Sequence, residues 1–306
     1  MTKTRAKEHP LMARSWKQSR EVTKQAWGVI KQNPYMLAFP AIGGILAIVA
    51  VLIIGGIGLG VMGVSTVEQS ATSGEVSTGT IVVGVIILVL AAYVATLITQ
   101  IFMGGLVKCT DEELQGRDSG FGAGLGAAFG RLGPLLGWAA IQTAVGWLLS
   151  AVRGDASNNN AVVAILRLVL ASLLAVAWSI ITFFVLPLII LRGKGPIEAI
   201  KESVSLIRKT WGMQIAGNVR IGGLIALAAV LPGILFAVVG GFIAASGTPA
   251  LGIPISAIGV IVVIAAQVLI SAMRAIFSVA MLHYVEQGEG FGPFAAPELQ
   301  AAVRVK

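Results

Sequence analysis

The chain has 306 residues and a formal charge of +8, yet only 12% of its residues are charged and 56% are hydrophobic. Soluble domains carry about 25% charged residues. With a mean hydropathy of +0.89, the composition excludes an ordinary water-soluble globule and points to an integral membrane protein. Cys109 is the only cysteine, which excludes an intramolecular disulfide and a cysteine-built zinc site.

Residues 1–33 are polar and basic, from Lys3 and Arg5 to Lys31. The segment is too long and polar to be the n-region of a cleaved leader. Two readings stand for it: an interfacial helix with Trp16, Val22, Trp27 and Ile30 toward lipid, or a basic tail. Charge then disappears until Glu68, and a first span is expected over about 35–62. Its end carries Gly56-x-x-x-Gly60, a spacing that permits close helix packing but is common in membrane helices. A Ser/Thr/Gly-rich loop follows, without Lys or Arg.

A second span is expected over 80–107, and then a charged stretch containing Asp111, Glu112, Glu113 and Asp118. These carboxylates lack EF-hand spacing and read as a solvated loop. Phe121, Leu125, Phe129 and Leu132 fall on one helical face and suggest a second interfacial segment. The third span is expected over 132–152 and the fourth over 168–191, separated by the breaker that begins Arg153-Gly154-Asp155.

The most patterned stretch comes next. Gly193 and Gly195 end the fourth span, and Pro196 suits a first helical position, where its missing N–H costs nothing. Ile197, Ile200, Val204, Ile207 and Trp211 then share one helical face. Glu198 and Glu202 lie early and Arg208 and Lys209 late, as the helix dipole favours. Ile221–Met273 holds no charge and is too long for one span. Ser246-Gly247-Thr248-Pro249 and Gly252-Ile253-Pro254 divide it into spans over 214–245 and 253–280. The tail, 286–306, is polar again.

The expected fold is therefore all-α and polytopic: a basic, amphipathic segment over 1–33, six transmembrane helices in three hairpins over 34–285, and a C-terminal tail. Cytoplasmic amphipathic interfacial helices flank the hairpins. Lys and Arg gather in the loops after spans two and four and at both termini, so both termini are expected in the cytoplasm. The same distribution explains the basic charge by topology, and no nucleic-acid partner is expected.

Ser19-Arg-Glu-Val-Thr-Lys-Gln-Ala-Trp27-Gly28 rhymes with Ser203-Val-Ser-Leu-Ile-Arg-Lys-Thr-Trp211-Gly212. Gly120-Phe121-Gly122 rhymes with Gly290-Phe291-Gly292. One reading is three parallel units, each an interfacial helix followed by two spans. The other is that tryptophan is common at any membrane interface.

The chain resembles a family of uncharacterised prokaryotic six-helix membrane proteins, itself distantly similar to the membrane domain attached to some glycerophosphodiester phosphodiesterases. The resemblance rests on Phe183-Phe184-Val185-Leu186-Pro187, Gly195-Pro-Ile-Glu-Ala-Ile-Lys-Glu-Ser203, Thr210-Trp-Gly212 and Gly217-Asn218. Phe102-Met-Gly-Gly-Leu-Val107, Phe129-Gly-Arg-Leu-Gly-Pro134, Phe277 and Leu282-His-Tyr284 support it. It implies a prokaryotic inner membrane and this topology. It supplies no activity and no catalytic residues, and the phosphodiesterase barrel is absent.

No catalytic, cofactor or metal set is legible. His283 and Glu286, one turn apart, are too few ligands for a metal and read as a polar cap. Gln100, Gln142, Asn218, Arg220, Gln267 and Arg274 lie within or near the spans, where polar groups are costly and face the bundle interior or snorkel. The amides read as interhelical hydrogen bonds or as a polar patch in a cavity. The expected function is a non-enzymatic membrane scaffold or assembly protein. It would bind lipid headgroups, anionic ones included, or a protein partner or second copy. Trp27, Ile197, Ile200, Val204, Ile207, Arg208, Lys209 and Trp211 are the candidate contact residues. The alternative is a transporter or lipid-handling protein with a cavity between hairpins.

Overall fold

The computed structural model describes residues 24–63, 77–154, 161–211 and 230–294. All regular elements among them are helical. They are α1 (24–32), a 3-10 turn at Pro34–Leu37, α2 (Ala38–Met62), α3 (Thr78–Leu114), α4 (Phe121–Phe129), α5 (Leu132–Arg153), α6 (Ala161–Ile181), α7 (Val185–Arg192), α8 (Pro196–Trp211), α9 (Leu231–Ala245) and α10 (Pro249–Gln287). Five stretches are long and apolar enough to cross a membrane, one of them the broken stretch Val162–Arg192, and α9 is a shorter apolar helix. Leu52 is 68% exposed and Phe242 75%. Side chains of this size in such numbers require a lipid solvent.

The chain divides into two compact units. The first comprises Ala38–Lys108 and Phe121–Val204. Here α2 and α3 pack antiparallel at glycines. A methyl group on Gly43 would lie 2.8 Å from Phe102, and one on Gly58 2.7 Å from Ile87. Gly56 and Gly60 meet only open space, so the Gly-x-x-x-Gly spacing is not the contact and the glycine between them is. Gly105 lies against Phe39 and the backbone of Gly124. The buried face of α4 is therefore Gly124 and Ala128. Phe129, one of the residues expected on the shared face of an interfacial segment, is exposed, because only the smallest side chains let α4 reach the backbone of α3.

α5 and α6 also run antiparallel. Trp138 and Trp178 stack with ring centroids 6.2 Å apart. The Trp178 indole N–H donates to Gln142 Oε1 at 2.7 Å. The expected fourth span is not one helix. Pro187 has no N–H to give the carbonyl four residues back, and its ring crowds that carbonyl. The helix opens at Thr182–Phe184 and restarts as α7 with Pro187 in its first turn. α7 ends as expected at Gly193, whose φ of 66° only glycine adopts readily. Its N–H caps Ile189 O at 3.1 Å. Pro196 opens α8.

The second unit comprises Met1–Leu37, Cys109–Gly120 and Ser205–Lys306. Its longest contact joins α9 to α10 across a turn at Ser246–Thr248. Gly233 faces Gly259, and Gly240 faces Gly252, a seven-residue step on each helix. Any side chain on Gly240 would strike the Ser256 backbone, and any on Gly252 the Ala244 backbone. Ser256 donates its hydroxyl to Ala237 O at 2.8 Å across the same contact. The expected break at Gly252-Ile253-Pro254 does not occur. Pro254 lies inside α10, where it forgoes the bond that an N–H there would give the Ala250 carbonyl.

α10 also runs past the expected end of the sixth span, and α3 past that of the second. Residues 109–114, expected as solvated loop, continue α3 as helix, with Cys109, Thr110 and Asp111 buried. Burial of that acidic face against other residues of the unit overrides its loop-like composition. The expected fifth span falls partly outside the described residues, as do Trp16, Val22, Asn218, Arg220 and the loop from Asp155.

Candidate functional site

Two polar constructions stand out. The first is built on α8. Its buried stripe is Ala199, Ser203 and Ile207, not the face centred on Ile197, Ile200 and Val204. Ile197 is 62% exposed, and Ile200 and Val204 are half-buried. The stripe turns because Ser203 is needed inward. Its hydroxyl donates to Ile181 O at 2.6 Å and accepts from the Phe184 N–H at 3.3 Å. Both backbone groups lie at the α6–α7 break, and in an apolar segment such groups must be paired. One serine thus closes the break and fixes the rotation of α8. Its outward face then carries Ile197, Lys201, Arg208 and Lys209. The side chain of Trp211 lies outside the described residues.

At the start of α8, Lys194 binds Glu198 at 3.0 Å and also Glu202. These carboxylates, Glu202 first, raise the Lys194 ammonium above its ordinary range.

The second construction lies at the ends of α3 and α10. His283 Nε2 meets Asp111 Oδ1 at 2.6 Å, across 172 positions of sequence. Asp111 is 7% exposed and His283 6%. The Phe291 ring covers the imidazole, centroids 3.8 Å apart and planes 13° from parallel. Phe291 is held there by a turn: Gly288 caps Tyr284 O at 2.8 Å, and Phe291 and Phe294 exchange backbone hydrogen bonds. Gly292, at φ 59°, lies against Leu114 so closely that a methyl group would come within 2.9 Å of its side chain.

The rest of the acidic run is also engaged. Tyr35 donates to Glu113 at 2.9 Å, the Ser119 hydroxyl to Glu112 at 2.6 Å, and the Ser119 N–H to Glu113 at 3.3 Å. Cys109 Sγ donates to Gly120 O at 3.4 Å. Thr110 Oγ1 and His283 Nδ1 are buried without a hydrogen bond. No group of three or more His, Cys, Asp or Glu able to hold a metal occurs among the described residues.

The remaining candidates separate. Trp27 is 44% exposed on α1, whose buried side is Ala26, Val29 and Ile30. Gln142 is spent on Trp178. Gln100 is half-buried, and Gln267 and Arg274 are exposed on α10. Ser203, Asp111 and His283 escaped the sequence reading of function. Ser203 had one signal, a small polar residue between Ile200 and Ile207 on an otherwise apolar face. His283 had another, as the only histidine beside a span.

Fold and site together define an all-helical protein with several helices of membrane-spanning length and buried polar fastenings at their breaks and ends. The chain belongs to the family of unknown function DUF6159, whose model matches residues 82–292. No curated protein and no solved structure matches it.

Proposed function

We propose that the protein is a non-enzymatic membrane scaffold that meets anionic lipid headgroups through α8, with docking of a protein partner or second copy on the same face as the second arm of this reading. The supporting observation is the outward face of α8: Ile197 stands exposed beside Lys201, Arg208 and Lys209, while Ser203 holds the opposite face inward. An apolar residue flanked by cations suits the boundary between acyl chains and headgroups. Six spans in three hairpins, repeated interfacial helices, cytoplasmic termini and a prokaryotic inner membrane belong to this proposal, with charge distribution as their support. The likeness to the phosphodiesterase membrane domain rests on the quoted motifs and lends no chemistry. The transport or lipid-handling reading has less behind it, because the Gln142 amide is bound to Trp178.

The test uses the full chain in nanodiscs with phosphatidylglycerol or with phosphatidylcholine alone, reading retained lipid by native mass spectrometry. Each basic residue near an anionic surface contributes about 1 kcal/mol. Reversing both Arg208 and Lys209 to Glu is expected to lower anionic-lipid retention about tenfold or more. Equal retention of both lipids, together with no crosslink from a photoreactive group at position 197, defeats the proposal. A reporter at Gly74 that reads as cytoplasmic defeats the topology.

A further inference from the structure

We infer that Gly288–Phe294 is a proton-sensitive latch: the His283 imidazole, seated between the Asp111 carboxylate and the Phe291 ring, fastens this segment to the end of α3 when charged and slackens it when neutral. The geometry is that of a clasp with one moving charge. Asp111 is a buried carboxylate, and a buried charge is costly unless a countercharge meets it. An imidazolium supplies that charge through Nε2–H, in a bond of 2.6 Å. It also presents a cation flat against the face of Phe291 at 3.8 Å, within the range of a cation–π contact. A neutral ring keeps its hydrogen bond to the carboxylate but loses the pairing of opposite charges and the cation–π contact.

Among the described residues His283 Nδ1 has no hydrogen bond, so there the polar hold of the ring is the Asp111 contact. Three features tie the segment across to its surroundings: Phe291 on His283, Gly292 on Leu114, and the burial of Phe294. The others close the turn on itself or cap α10. Loosening the first therefore removes one of these anchors, the one that carries charge.

The neighbouring titratable and charged groups lie on α3, the connection after it, the 3-10 turn, α10 and the segment itself. On α3, Cys109, Glu112 and Glu113 flank Asp111, with Lys108 before them; Glu112 and Glu113 are bound to Ser119, and Glu113 also to Tyr35 of the 3-10 turn. Arg117 and Asp118 lie in the connection after α3, Arg274 and Glu286 on α10, and Glu289 on the segment itself. Carboxylates ordinarily change charge near about pH 4 and thiols, phenols, ammonium and guanidinium groups above about pH 8, leaving histidine as the group that changes between them.

The test places a nitroxide on the exposed segment (Glu289→Cys in a Cys109→Ser background) in the full chain in nanodiscs. Spectra are taken at about pH 5.5 and about pH 8.5, either side of the ordinary histidine range. Charged hydrogen bonds exceed neutral ones by enough that the mobile fraction is expected to rise about fivefold with pH. In His283→Asn and in Asp111→Asn the label is expected to be mobile at both pH values. Phe291→Leu keeps a smaller response in the same direction. A parent spectrum that does not change with pH overturns the latch, as does a response of full size in His283→Asn. A second label at Lys201 reports on the molecule elsewhere. If it moves with pH as the first does, the change is general and the latch is again overturned. Should His283→Asn lose its helical circular dichroism, the parent profile with Asp111→Asn and Phe291→Leu decides.

Discussion

Along α9 and α10 the contact is made where side chains are missing; along α5 and α6 it is made by two tryptophans and a glutamine. Both pairs are antiparallel and apolar, and both face the same difficulty. Lipid tails are as apolar as leucine, so bringing two greasy helices together yields little hydrophobic gain. The first pair answers by bringing backbones into touch at Gly233, Gly240, Gly252 and Gly259. The second answers by a hydrogen bond with no water competing for it. The two solutions differ in tolerance. A backbone contact fails with the smallest added bulk, whereas a side-chain bond can be deleted and its space refilled.

The sharpest way to break this comparison is to add bulk at the glycine contact. Gly240→Leu is expected to cost about 3 kcal/mol, as overpacking does where the neighbour is backbone and cannot yield. The measurement is the unfolding midpoint in detergent. Gly56→Leu is the matched control, because open space surrounds that position, and no loss is expected. Equal losses at both sites would show that glycine content, and not the contact, sets stability.

The α6–α7 break tests the polar half. Ser203→Ala removes the hydroxyl that bonds Ile181 O and the Phe184 N–H, and the loss of a buried hydrogen-bond partner costs about 1–3 kcal/mol. A loss of about 2 kcal/mol is expected, with faster backbone exchange at residues 182–184 by hydrogen–deuterium mass spectrometry. Unchanged exchange there would remove Ser203 from its role.

Gln142→Leu comes next. Interhelical side-chain bonds in membranes average about 0.6 kcal/mol, so a loss near that value is expected in the same unfolding assay. A loss as large as that of Gly240→Leu would erase the distinction between the two pairs.

Lys194→Ala is the smallest: no change in midpoint is expected, since an exposed ion pair contributes little. The pH sign is fixed. The ammonium is raised from its ordinary 10.5 by Glu202 and Glu198. Its pairing is complete below that value and is lost only as pH rises through the raised one. A midpoint that changed between pH 6 and 9 through this residue would contradict the assignment.

These contrasts also show what a sequence of this kind reveals. Long apolar runs bounded by charge gave the helices, and Gly193 and Pro196 marked a helix end and start, because those signals are local. The contact glycines were not legible. Gly56 and Gly60 look like a packing motif and Gly58 does not, yet only the partner helix decides which face is inside. Pro187 was visible, but the break it causes depends on a serine well along the chain. Asp111 and His283 were dismissed separately, as a solvated acid and a polar cap. Each becomes informative only once the fold brings them to 2.6 Å. The inward turn of Ser203 likewise explains why Ile197, grouped with Ile207 on one apolar face, stands outside while Ile207 is buried.

The serine clasp at the α6–α7 break bears on how the protein is made. Translation delivers Ile181 and Phe184 before Ser203, so the apolar segment that contains the break leaves the ribosome with its joint open. The joint closes only when α8 has folded back onto the break. A chain ending before Ser203 would carry the whole sequence of the broken helix but lack the hydroxyl that joins its two halves.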